Sequence, residues 1–158
     1  MHSFKAGGRD WILANNVAIY RRVRALGVDL VGLAKATPEH DPLGELLGDM
    51  PRLVAVVYEF VRGQAEKPPG VSLEQFEEII DGDTYQAMRD AFVQEWIDFF
   101  PPEARPVLRQ MIDRGKEITS LTMARAMSEL EQASTLMRTE LTSLSTTAPE
   151  SSASTPSP

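Results

Sequence analysis

The stretch DTYQAMRDAFVQEWIDFFPP, residues 83–102, decides the fold. Tyr85, Met88, Phe92, Trp96 and Phe99 recur in it at gaps of three and four, a stripe about one helix face wide. Pro101 and Pro102 end the helix, because proline removes a backbone donor and keeps the residue before it out of the helical region. A helix carrying so many aromatic side chains on one side must bury them. Phe92, Trp96 and Phe99 are therefore expected core anchors, and the rest of the chain must supply the opposing apolar faces.

Working back towards the N-terminus, Asp81-Gly82-Asp83 interrupts the helical pattern, with Asp83 the expected cap of the aromatic helix. Before it, Ser72-Leu73-Glu74-Gln75 reads as a capping box, in which the Ser72 hydroxyl and the Gln75 amide serve otherwise orphaned backbone donors. Leu73, Phe76 and Ile80 line one face of that helix. Lys67-Pro68-Pro69-Gly70 is a chain breaker. In Arg52–Gln64, Leu53, Val57, Phe60 and Val61 stand at helical spacing, although the β-branched residues make a buried strand the rival reading; length favours a helix. Asp41 with Pro42 marks the N-terminus of a short helix over Pro42–Leu47. Asn15 or Asn16 can cap a helix that carries Ile19, Val23 and Leu26 on one face and stops at Gly27. Over residues 3–14, the Gly7-Gly8 pair between two short β-prone runs predicts a hairpin anchored by Phe4 and Trp11. Two strands alone are marginal in water, so the hairpin has to lean on the helices.

Downstream, residues 103–145 read as a helical hairpin or one long broken helix, with Val107, Leu108, Met111 and Ile112 as a first apolar patch and Gly115 as a weak point. Beyond it Met123, Met127, Leu130, Ser134, Met137, Leu141 and Leu144 alternate at gaps of four and three, a heptad seam of about three repeats in which Ser134 is the polar exception. Residues 146–158 are almost wholly Ser, Thr, Pro and Ala and bury too little to offset their ordering entropy, so disorder is expected there. The expected architecture is thus mainly α: a hairpin plus helical core over 1–101, a C-terminal helical segment over 102–145, and a tail over 146–158.

Composition narrows the function. The 158 residues carry a net charge of −7 and contain no cysteine. An acidic surface repels phosphate backbones, which argues against a nucleic-acid partner. The lack of cysteine removes disulfides, thiolate metal sites and a cysteine nucleophile. The stretch Leu53–Val61 is interrupted by Glu59 and too short to span a bilayer. Met1-His2-Ser3-Phe4-Lys5 lacks the apolar run of a signal peptide, so a cytoplasmic location and no membrane partner are expected. Asp81-Gly82-Asp83 does not fit a calcium loop, since its glycine comes second and the twelfth position is Phe92. Glu77, Glu78, Asp81 and Asp83 read as a solvated helix face, and His2 and His40 have no ligand spacing to each other. No catalytic residue, metal site or cofactor is expected. The cluster Arg21, Arg22 and Arg24 is too small to hold nucleic acid against the net charge and is expected to form ion pairs or cover apolar surface.

Two readings of the seam stay open. It is either ordinary core packing against the aromatic helix or a surface for a partner, for which flexible thioether side chains are well suited. Met123, Met127, Leu130, Met137 and Leu141 are the partner-binding residues on the second reading.

The order of these parts resembles small proteins encoded in the tail-assembly region of long-tailed bacteriophages and prophages, the tail assembly chaperones and their uncharacterised relatives. The resemblance rests on the Gly-Gly hairpin with Trp11, Arg21-Arg22-Val23-Arg24-Ala25-Leu26-Gly27-Val28-Asp29-Leu30, Leu53-Val54-Ala55-Val56-Val57-Tyr58 with Gln64-Ala65, Phe76-Glu77-Glu78-Ile79-Ile80-Asp81-Gly82-Asp83, and Ala91-Phe92 through Phe99-Phe100-Pro101. It covers residues 3–101 and is a pattern of packing positions; the region after Pro106 carries no family signature. The resemblance implies a non-enzymatic helical protein of the bacterial host's cytoplasm that coats an apolar client, the tape-measure protein, helps recruit tail-tube subunits and self-associates. The alternative is a helical adaptor or regulator that dimerises through residues 123–144.

Overall fold

The computed structural model describes the backbone of residues 1–37 and 39–145, with side chains for all of these except 118, 119 and 135–145. The expected disordered tail, 146–158, lies outside the described residues. A compact unit runs from Met1 to Ile112, and a second begins at Asp113.

Strands β1 (Ser3–Ala6) and β2 (Arg9–Ile12) pair antiparallel with Phe4 opposite Trp11. Gly7 and Gly8 make the turn at φ of 56° and 73°, a region that residues with a Cβ enter only at a cost. The period of two puts Phe4, Ala6 and Trp11 on the buried face. Trp11 meets the ring of Phe76 edge-on at 5.1 Å, and its indole N–H donates to the Ala6 carbonyl at 3.2 Å. The hairpin leans on the helices as expected. Ala14 N–H donates to the Phe60 carbonyl at 3.1 Å, while the Gln64 amide accepts from Ile12 N–H at 3.0 Å and donates to the Asp10 carbonyl at 2.6 Å.

Helix α1 (Val17–Ala25) is capped by Asn16, whose side chain accepts from Ile19 N–H, and it buries Ile19 and Val23. Leu26 is the C-cap and is exposed, so the apolar stripe ends one turn earlier than its spacing implies. Gly27 follows at φ 76°. A short 3₁₀ turn, Gly32–Ala34, leads to α2 (Pro42–Gly48), which Asp41 caps. Helix α3 (Met50–Ala65) buries Leu53, Val54, Val56, Val57, Phe60, Val61 and Ala65. Its valines disfavour helix only slightly, and burial on several sides overrides that preference. Helix α4 (Leu73–Glu78) opens on the complete Ser72–Gln75 capping box and buries Phe76.

Helix α5 (Gly82–Phe99) holds the aromatic stripe. Its N-cap is Asp81 and not Asp83: the Asp81 carboxylate accepts from Thr84 N–H at 2.8 Å. Asp83 falls instead in the first turn, where its charge meets the positive end of the helix dipole. Met88, Phe92 and Trp96 are fully buried, with Phe92 edge-on to Phe60 at 5.7 Å. Phe99 corrects the expectation of a core anchor, because it is 37% exposed. It sits on the right face, but the helix outlasts the core there, and a stacked Tyr20 ring at 3.8 Å covers it.

Helix α6 (Arg105–Ser145) is helical throughout, with Gly115 inside it. Neither a hairpin nor a break forms; one exposed glycine costs a helix about 1 kcal/mol, too little to stop a helix of this length. Of the first apolar patch, Leu108 is buried and Ile112 packs against the core, whereas Val107 and Met111 face solvent. These two contacts are why the compact unit extends past Pro101 to Ile112. Among the described residues, no helix is long and apolar enough to cross a membrane.

Candidate functional site

Three places in the molecule could do chemistry or bind a partner. The first is a cluster of polar groups around α5. Glu95 is a carboxylate only 5% exposed in an otherwise apolar core. It accepts from the backbone N–H of His2 at 2.8 Å, and the Met1 amine lies 3.5 Å away. Its own backbone carbonyl accepts from the Asn15 amide at 3.2 Å. The His2 ring meets Asp98 at 2.9 Å, with the guanidinium groups of Arg105 and Arg109 each 3.9 Å from the other carboxylate oxygen. Hydrogen bonding from His2 holds the Asp98 carboxyl below the usual carboxylate range, against a smaller opposing effect of burial. Burial, and then the neighbouring Glu95 charge, push the Tyr20 hydroxyl well above its ordinary value. The Tyr20 hydroxyl and the Asn15 side-chain oxygen are both buried without a hydrogen-bond partner. This constellation fastens the N-terminal segment to α5. It presents no nucleophile beside a base, and its one histidine is engaged by Asp98.

The second place is an open cleft of about 350 Å³ between the 3₁₀ turn and helices α2 and α3, bordered by Asp29, His40, Glu45 and Arg52. His40 and Glu45 face each other at 2.9 Å, both exposed, and Arg52 donates to the Gly27 carbonyl at 3.1 Å. These groups satisfy one another on the surface instead of converging on a shared point. Among the described residues no three His, Asp or Glu side chains are grouped to hold a metal ion.

The third place is the seam of α6. Met123, Met127 and Leu130 are 65%, 63% and 70% exposed, and Ser134 is exposed as well. The backbone is helical through Met137, Leu141 and Leu144, whose side chains lie outside the described residues. The flanks of the described seam carry small side chains, Ala124, Ala126 and Ala133, all exposed. Arg125 and Glu129 pair one turn apart at 3.2 Å, away from the seam.

Of the other expected residues, Trp11, Phe92 and Trp96 are buried as anchors. The arginine cluster divides. Arg22 forks onto Glu59, with Nε 2.6 Å from the carboxylate and Nη2 3.0 Å from the backbone carbonyl, while Arg21 and Arg24 are exposed. The buried Glu95 and its link to the N-terminus had no sequence signal, because a lone glutamate between Gln94 and Trp96 looks like any solvated helix position. Compared with known protein families, characterised proteins and solved structures, the chain matches none.

Proposed function

We propose that this chain is a non-enzymatic assembly chaperone of a phage or prophage tail module, acting in the cytoplasm of the bacterial host and holding an apolar helical client against the seam of α6. One observation carries the reading: Met123, Met127 and Leu130 stand at helical spacing on a single face and are exposed. Large apolar side chains grouped on one exposed face mark interaction surfaces. Thioethers adapt to differently shaped partners because they are unbranched and polarizable. An amphipathic client segment laid along such a face is recognised by anchors spaced three and four residues apart. The packing-position resemblance over residues 3–101 supplies the class of client, a tape-measure protein, with tail-tube subunits as further partners.

The test is co-expression with the tape-measure protein encoded beside this chain. The wild type is expected to keep that protein soluble and to co-purify with it. The variant carrying Leu130→Glu and Met137→Glu is expected to lose it. A gene neighbourhood without tail genes, or undiminished capture by the double variant, would overturn the reading.

A further inference from the structure

The arginine cluster of α1 is not exhausted by Arg22. Helix α1, VAIYRRVRA, carries three arginines and no acidic residue, in a chain whose net charge is −7. Most other arginines of residues 1–112 are tied into the fold. Arg9 donates to the Gln64 carbonyl, Arg52 to the Gly27 carbonyl, Arg62 to the Glu66 carboxylate and Arg105 to the Asp98 carbonyl. Among the described residues, the exposed guanidinium groups of Arg21 and Arg24 reach no acceptor. A cation in the last turn of a helix also meets the negative end of its dipole, which accounts for Arg22 and Arg24 but not for Arg21.

The two unpaired cations share a face. Val17, Arg21 and Arg24 stand at i, i+4 and i+7, on the outer side of α1 away from the buried Ile19 and Val23. Val17 is 72% exposed. Ala18 and Ala25, also exposed, run beside that row and let a second helix axis come close. Tyr20, one turn from both Val17 and Arg24, stacks on the partly exposed Phe99 ring, which borders the same face. Such a face is a poor match for a phosphate backbone, because two cations neutralise two phosphates at most and the net charge opposes them. Carboxylates one turn apart on a partner helix match Arg21 and Arg24 one for one, and an apolar side chain beside them meets Val17. The complement is thus acidic, apolar and helical.

We propose that the outer face of α1 docks an acidic amphipathic helix of another protein, through Arg21 and Arg24 with Val17 beside them. The surface uses no residue of the α6 seam, so either reading can fail alone. Nine residues present only about 14 Å of helix, and the complex is accordingly weak, transient and salt-sensitive.

The test is an amide NMR titration of the full chain with two blocked, alanine-rich peptides of about 20 residues, a length that holds helix in isolation. One carries glutamates one helical turn apart with a leucine on the same face; in the other, glutamine replaces every glutamate. The acidic peptide is expected to shift the amides of residues 17–25 with a dissociation constant below about 1 mM, and to bind more weakly as salt rises. The glutamine peptide is expected to leave them unmoved. The Arg21→Glu, Arg24→Glu variant is expected to keep the wild-type dichroism spectrum and to bind the acidic peptide about tenfold more weakly. It is also expected to take up a peptide with lysine in place of glutamate, which leaves these amides unmoved in the wild type. Arg21→Gln, Arg24→Gln is expected to lose the acidic peptide without gaining the lysine one. No saturable shift, shifts confined to other helices, equal binding of the glutamine peptide, or a charge swap that gains nothing would overturn the proposal. So would a single-stranded oligonucleotide or phosphatidylglycerol vesicles that move the same amides at lower concentration than the acidic peptide, since the face would then be a phosphate site.

Discussion

The indole N–H of Trp96 donates to the backbone carbonyl of Leu30 across 2.7 Å, with both residues buried. This one bond ties the middle of α5 to the loop after α1, and it gives the fold a large apolar anchor that is also directional. Trp96→Phe is expected to keep most of the packing but to orphan the Leu30 carbonyl, costing about 1–3 kcal/mol. Trp96→Ala or Phe92→Ala removes the packing too and is expected to cost about 3–5 kcal/mol. Urea melts check both values; a loss under about 1 kcal/mol for either alanine variant would place that face outside the core.

Arg22 is expected to matter more than the two arginines beside it. Its guanidinium reaches both the carboxylate and the backbone carbonyl of Glu59, a residue largely shielded from solvent. Arg22→Ala leaves that carboxylate with Arg62 as its remaining cationic neighbour and is expected to cost about 1–2 kcal/mol. Arg21→Ala and Arg24→Ala are expected to stay within about 0.5 kcal/mol of wild type in the same melts.

The two turn glycines separate two costs. Both have positive φ, so alanine at either is strained by about 1 kcal/mol. Only at Gly7 would the added Cβ also meet Ile79, with atoms 3.1 Å away, whereas at Gly8 it would meet nothing within 4 Å. Gly7→Ala is therefore expected to lower the thermal midpoint more than Gly8→Ala, and equal losses would mean that the Ile79 contact yields freely.

Asp98 gives the acid side of the stability curve a specific source. Its carboxyl titrates below the usual range because His2 donates to it. A carboxylate with a depressed folded pKa adds stability that is fully present above the unfolded value of about 4 and is lost as pH falls through the folded value. His2→Ala is expected to move the Asp98 midpoint up towards the ordinary value in a carboxyl-carbon NMR titration. It is also expected to narrow the stability difference between neutral and acidic solution. An unmoved midpoint would assign the depression to Arg105 and the N-terminal amine.

Local chemistry made much of this fold legible. Asn16, Asp41 and the Ser72–Gln75 box cap helices through side chains within a few residues of the backbone they serve. Met88, Phe92 and Trp96 declare a buried face by period alone. The failures share a cause. Whether Asp81 or Asp83 caps α5 turns on a single residue of helix length. Phe99 has the right spacing, and only the extent of the neighbouring layer decides that it is stacked on Tyr20 at the surface. Gly115 is weak in propensity, yet the helix runs through it. The burial of Glu95 depends on the N-terminal segment returning to α5, a tertiary event with no local mark. At the candidate docking surface, the heptad spacing named the residues, but spacing cannot separate core from interface. The structure adds that Met123, Met127 and Leu130 are exposed.

Ninety-three residues separate His2 from the Glu95 carboxylate that accepts its backbone N–H. A ribosome delivers the two partners in that order, with α1 to α4 in between. While the chain is being made, β1 and β2 emerge before α1 to α5, yet Phe4 and Trp11 have no aromatic floor until Phe76 follows, and His2 has no acceptor until Glu95 does. A lone two-stranded hairpin is marginal in water. The hairpin thus precedes in sequence every element that holds it, and its aromatic floor and its acceptor both come from helices made later.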